Sequence, residues 1–107
     1  MLKRKYRLGR ERFDSARSFY SQLFTLKIKD NGLLFNRFGI ITSKKLDRKA
    51  VIRNRIKRLI SSCIEELFKD IKPGNDMLLI AKKEAATKNR KEILVSMMNV
   101  FKKEGLI

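Results

Sequence analysis

Arg53, Arg55, Lys57 and Arg58 place four cations within six consecutive positions, with the amide of Asn54 between the two leading arginines. Groups of this kind recognise polyanions and do not make or break bonds. The arginine fork grips two phosphate oxygens and stacks on bases, and a carboxamide donates and accepts at once. Ile52, Ile56, Leu59, Ile60 and Cys63 recur through the same stretch at helical spacing, so one face of the helix is apolar and the cations lie off it. Arg53 and Lys57 fall on one flank, Arg55 and Arg58 on the other, and Asn54 opposite the apolar stripe. Neighbouring like charges weaken a helix by a few tenths of a kcal/mol per pair, and a bound polyanion relieves that repulsion. A merely solvated face interleaves acids, yet no Asp or Glu occurs between Asp47 and Glu65. Contact with nucleic acid is the better reading.

The whole chain carries 27 Lys+Arg against 11 Asp+Glu in 107 residues, a formal charge of +16. Such an excess draws a protein to phosphate and makes binding steeply dependent on salt. A hydrophobic fraction of 43% is that of a folded domain and excludes a disordered basic tail. The expectation is one domain over residues 1–107 with a single core. No apolar run approaches the roughly 20 residues of a membrane span, and the basic start Met1-Leu2-Lys3-Arg4-Lys5 has no apolar stretch after it to make a secretion signal. The expected location is the cytoplasm, away from membranes.

Absences narrow the chemistry further. Histidine is missing, which removes the commonest general base and metal ligand. One cysteine forms neither an internal disulfide nor a thiolate cluster, and Cys63 falls on the apolar stripe, as a core residue would. No Gly-rich phosphate loop and no paired-carboxylate site can be read. The chain is expected to bind no cofactor itself and to leave any catalysis to a partner.

The elements that position these residues mix helix and strand. A short helix is predicted from about Arg10 to Ser18, with Phe13 and Ala16 inward. Extended structure follows from Phe19 to Lys29, where Leu26 and Ile28 alternate with Lys27 and Lys29. Asp30-Asn31-Gly32 predicts a tight hairpin turn into a second extended run, Leu33 to Thr42. After the basic connection Ser43 to Arg48, the Arg-rich helix runs from about Lys49 to Phe68 and stops before Lys72-Pro73-Gly74-Asn75. Met77 to Ala81 is a short buried strand. Thr87 is the predicted N-cap of a last helix with the stripe Ile93, Met97, Val100 and Phe101, ending near Gly105.

Ser43-Lys44-Lys45, followed by Ala50-Val51-Ile52-Arg53-Asn54-Arg55-Ile56-Lys57-Arg58-Leu59, closely resembles the signature of the bacterial ribonuclease P protein subunit. The helix start from Leu8 to Phe13, the strand Phe38-Gly39-Ile40, Pro73-Gly74-Asn75-Asp76 and Ile80-Ala81-Lys82-Lys83 agree in order along nearly the whole chain. The Arg-Asn-Arg helix is the specific part of the match. The resemblance implies an α+β fold, a compact α-β sandwich of order α-β-β-(β)-α-β-α, with a left-handed crossover around the Arg-rich helix, against the usual right-handed rule.

It also implies a role beside a large RNA that, with bound Mg²⁺, removes the 5′ leader of precursor tRNA; no obligate protein partner is expected. Lys49, Arg53, Asn54, Arg55, Lys57 and Arg58 would face the catalytic RNA. Phe13, Lys44, Lys45, Lys82 and Lys83 match the leader-binding cleft. An exposed Phe13 would stack on an unpaired base, worth about 1–3 kcal/mol; a buried one would be core. Arg17 and Lys27 stand where aromatics are common in the family, so a more electrostatic leader grip is expected from those two positions. A generic basic protein of the ribosomal type shares the charge but does not account for the Arg-Asn-Arg helix. A self-sufficient nuclease lacks its base, metal cage or nucleophile. Alanine at Arg53, Arg55 or Arg58 is expected to leave the fold intact, because all three lie off the apolar stripe.

Overall fold

Two alternating segments more than forty residues apart in sequence make the centre of the sheet. The structure is a computed structural model that describes residues 2–9, 13 and 16–107. In β2 (Phe24–Asp30), Phe24, Leu26 and Ile28 are buried; in β4 (Asn75–Ala81), Met77, Leu79 and Ala81 are. The two strands pair antiparallel with Ile28 opposite Met77 and Leu26 opposite Leu79, so both apolar sets share one face. β1 (Arg17–Tyr20) joins the free edge of β2, and β3 (Arg37–Ile41) runs parallel to β4 on its other side. The strand order is β1-β2-β4-β3.

This order corrects the predicted hairpin. β4 lies between β2 and β3, so residues 31–36 must cross two strand spacings, roughly 9.6 Å, which a two-residue turn does not span. Gly32 keeps the positive φ, +69°, that the Asn-Gly pair signalled. Asn31 becomes a staple. Its Oδ1 accepts from the Leu33 N–H at 2.8 Å, and its Nδ2 donates to Phe35 O at 3.1 Å and to Asp76 Oδ1 at 3.0 Å. Of the extended run expected from Leu33, only Arg37–Ile41 is strand.

Most of the predicted first helix, Arg10–Arg12, Asp14 and Ser15, lies outside the described residues. Its predicted end does not hold. Arg17 and Ser18 belong to β1, paired with Ile28 and Lys27 of β2.

The Arg-rich helix, α1 (Ala50–Leu67), forms with Lys49 as N-cap. Ile56, Ile60 and Cys63 are buried as predicted, and the stripe continues through Ile64 and Leu67, while Ile52 and Leu59 sit half-buried at its margins. The last helix, α2 (Arg90–Lys103), begins three residues after the predicted cap. Asn89 caps it, accepting from the Glu92 N–H at 2.9 Å, and Glu92 Oε1 accepts in return from the Asn89 N–H at 3.3 Å. The box needs Glu or Gln three residues past the cap, and Thr87 has Arg90 there. Thr87 instead ends a 3₁₀ turn, Lys83–Thr87. At the other end Gly105, at φ +73°, closes a Schellman motif, with the Leu106 N–H on Phe101 O and the Gly105 N–H on Lys102 O.

Ile93, Met97 and Phe101 of α2 join α1 and the buried sheet face in one core. Arg90 pins the two helices together, donating to Ser62 Oγ at 3.0 Å and Glu66 Oε1 at 2.9 Å. At the start of β4, Asp76 is 1% exposed and receives both Arg37 Nε and Nη2 at 2.8 Å. Asn36, also buried, donates to Lys72 O and accepts from the Asn75 N–H, each at 2.9 Å. This polar joint is what fixes the Pro73-Gly74-Asn75-Asp76 segment against β3. Among the described residues no helix is long and apolar enough to cross a membrane.

Candidate nucleic-acid interface

Asn54, Lys57, Arg58, Ser61 and Glu65 follow one another at helical spacing and form one stripe of α1. They wall a cleft of about 890 Å³ whose other sides are Arg7, Leu8 and Gly9 of the N-terminal segment, Phe13, and Gly39, Ile41 and Leu78 of the sheet. The N-terminal segment is held there by the Leu8 N–H on Phe38 O at 2.8 Å, and by Tyr6 packed between Phe35 and Phe68. Gly39 suits this closeness: a Cβ would stand 3.0 Å from Leu78 Cδ1 and 3.3 Å from Leu8 Cδ1, and both leucines would have to give by a few tenths of an ångström. Asn54, Lys57 and Arg58 are exposed. Arg7 and Ser61 were not singled out in the sequence; for Ser61 the signal was its place one turn beyond Lys57 and two beyond Asn54.

The other two arginines of the cluster are partly committed to the fold. Arg53 Nη1 donates to Asp47 O at 3.0 Å and Arg48 O at 2.7 Å, closing the loop that leads into α1. Arg55 reaches the far side, donating through Nη2 to Ala86 O at 2.6 Å and through Nη1 to Lys88 O at 3.4 Å. Both retain guanidinium donors for other partners. Replacing either removes these bonds to backbone carbonyls, so a cost to folding is expected for Arg53 and Arg55 and none for Arg58. Lys49 is exposed at the N-cap, and its N–H is held by Asp47 Oδ1 at 2.8 Å.

Across the sheet, the face turned from the core presents two adjacent rungs. One reads Ser18, Lys27, Leu78, Gly39; the next reads Tyr20, Thr25, Ile80, Ile41. Phe13 is half-buried, with Lys29 Nζ 5.0 Å from its ring centroid. Lys82 Nζ donates to Ser21 O at 2.6 Å and lies 5.8 Å from the Tyr20 ring centroid. Lys44 and Lys45 occupy a turn just past the end of β3, and Lys83 follows the end of β4. Because β3 and β4 are parallel, these lysines gather at one end of the sheet. Arg17 is not with them. Its pairing with Ile28 puts it on the helix-side face of β1.

Cys63 is fully buried, with Sγ 3.8 Å from Arg90 O. Burial pushes its thiol up, against the opposing pull of the Arg90 charge. A thiol kept protonated and out of solvent is core material, not a nucleophile.

Residues 2–105 match the family model described as Ribonuclease P. The chain belongs to the ribonuclease P protein family. It is 37% identical over 110 residues to the ribonuclease P protein component of Geobacillus kaustophilus, covering 97% of this chain and 90% of that protein. The Clostridium botulinum component is 36% identical over 104 residues, with 96% and 93% covered. The solved Staphylococcus aureus RNase P protein superposes with a TM-score of 0.84 at 28% identity, over 94% of this chain and 96% of that one. The ribonuclease P family thus shares the mixed α+β architecture built above.

Proposed function

We propose that this chain is the RNA-binding subunit of ribonuclease P, holding the catalytic RNA on the α1 stripe and the single-stranded 5′ leader of precursor tRNA on the open sheet face. The observation that carries this reading is the cleft. Gly39 and Leu78 belong to the same rung as Lys27 and also line the cavity faced by Asn54, Lys57 and Arg58. One concavity therefore joins two cationic surfaces, and two RNA strands bound there would lie side by side. The lysines match leader phosphates by charge, and Arg58 and Lys57 supply charge-assisted donors to the larger RNA.

Hydrolysis itself belongs to the RNA with its Mg²⁺. The chain has no histidine, its one thiol is buried, and Asp76, the most buried carboxylate among the described residues, is tied to Arg37. The protein's part is to position.

Replacing Lys44, Lys45 and Lys83 with glutamine is expected to weaken holoenzyme binding of precursor tRNA by tenfold or more, leaving mature tRNA nearly unaffected, since each lost phosphate contact removes its share of counterion release. Equal losses for both ligands would place these lysines on another surface. In the same assay RNA-free protein should cleave nothing, and adding the catalytic RNA with Mg²⁺ should give leader removal. Cleavage by RNA-free protein would overturn the division of labour.

A further inference from the structure

Tyr20 sits on edge strand β1 with 74% of its surface in solvent, although Phe19 beside it packs against the core. Strand alternation turns one ring inward and the next outward. Nothing in the core uses Tyr20. Its rung continues through Thr25 and Ile80 to Ile41, itself 41% exposed, so a strip four strands wide, roughly 14 Å, presents an aromatic ring and flat aliphatic surface to solvent. No position in this rung or in the neighbouring rung of Lys27 is acidic. The Lys82 ammonium stands over the ring at 5.8 Å.

We propose that Tyr20 is a stacking platform for an unpaired nucleobase of the RNA strand that crosses this face, with Lys82 and Lys27 holding the phosphates on either side. The inference rests on the reading that the open sheet face carries the leader. An exposed ring with the Lys82 ammonium 5.8 Å from its centroid and Lys27 on the adjacent rung is matched to a chain in which π faces alternate with negative charges. A protein partner would be served by the aliphatic strip but not by the cations around it. Lys82 covers one side of the ring, and the exposure of the remainder leaves the other side for the base.

The test uses holoenzyme reconstituted with the wild-type chain, Tyr20→Leu and Tyr20→Phe, under conditions that block cleavage. Precursor tRNAs carry leaders of stepped length with a fluorescent 2-aminopurine at successive positions, and mature tRNA is the control. Tyr20→Leu should lose about tenfold in affinity for long-leader precursor and nothing for mature tRNA, the size expected for one base–aromatic stack. Tyr20→Phe should bind as wild type. One 2-aminopurine position should be quenched by wild type and Tyr20→Phe and not by Tyr20→Leu. Wild-type affinity and quenching in Tyr20→Leu, with precursor still preferred over mature tRNA, would overturn the platform and leave the leader reading standing. Equal losses for precursor and mature tRNA would also overturn it. A wild-type holoenzyme that does not prefer precursor over mature tRNA would remove the leader reading and the platform together.

Discussion

Replacing Asp76 with alanine is expected to destabilise the fold by about 3 kcal/mol, the lower end of the cost of breaking a buried ion pair. Asp76 is 1% exposed and accepts two bonds from Arg37 and one from Asn31. Its loss takes two hydrogen bonds from Arg37, and Asn31 loses one of the contacts that tie the 31–36 loop to β4. The lower figure applies because the Arg37 side chain is 27% exposed and water can partly repay it.

The same carboxylate sets a pH signature. Burial acts to raise the Asp76 carboxyl, but the Arg37 and Asn31 hydrogen bonds and the charges of Arg37 and Lys29 outweigh it and hold it below the usual range. A depressed folded value means that the contribution is whole above the unfolded value near about 3.9. It is lost as pH falls through the lower folded value. Urea melts from pH 7 downward should show wild type losing stability below about pH 4 more steeply than Asp76→Asn. Parallel pH profiles for the two proteins would contradict the pairing.

Alanine at both Lys57 and Arg58 is expected to weaken assembly with the catalytic RNA by a hundredfold or more. Each charge-assisted contact is worth roughly 1.5–3 kcal/mol, and both side chains are exposed on the cleft stripe away from the core. The salt slope of binding should fall by about two units if each cation meets a phosphate, and the free protein should melt as wild type does. Arg53→Ala and Arg55→Ala should behave differently. Each removes bonds to backbone carbonyls that water can partly replace, so a loss of up to about 1 kcal/mol in stability should accompany any loss of RNA affinity. Wild-type affinity in the double variant would remove α1 as the RNA-binding element.

The α1 face was legible in part, because helical period assigns every residue an angle. It set Asn54 opposite the core and all four cations off the apolar stripe, but it paired Lys57 with Arg53 and Arg58 with Arg55, where the structure brings Lys57 and Arg58 to one cleft wall with Asn54. The family resemblance was legible for the same reason, since its specific residues are local. What the sequence hid is non-local. Period two says which side of a strand is apolar but not which strand lies beside it, so the insertion of β4 between β2 and β3 could not be seen from Asn31-Gly32. Arg55 gave no hint of partners 31 and 33 residues away. Tyr20 was lost for another reason: the extended run read from Phe19 to Lys29 is broken at residues 21–23 into β1 and β2, and the break resets which alternate residues face outward. Asn89 was missed in favour of Thr87 although the Asn-x-x-Glu pattern was present in the sequence.

The most direct test of the two-surface account is cross-linking from single engineered thiols. Ser61→Cys places a probe on the α1 stripe, and Thr25→Cys places one on the open sheet face; neither removes a cation. The native Cys63 is buried with its thiol pushed up, so it does not compete for the reagent. In holoenzyme bound to precursor tRNA, a photoreactive group at position 61 should attach to the catalytic RNA, and one at position 25 to the 5′ leader. Attachment of both to the same molecule, or the reverse assignment, would contradict the account.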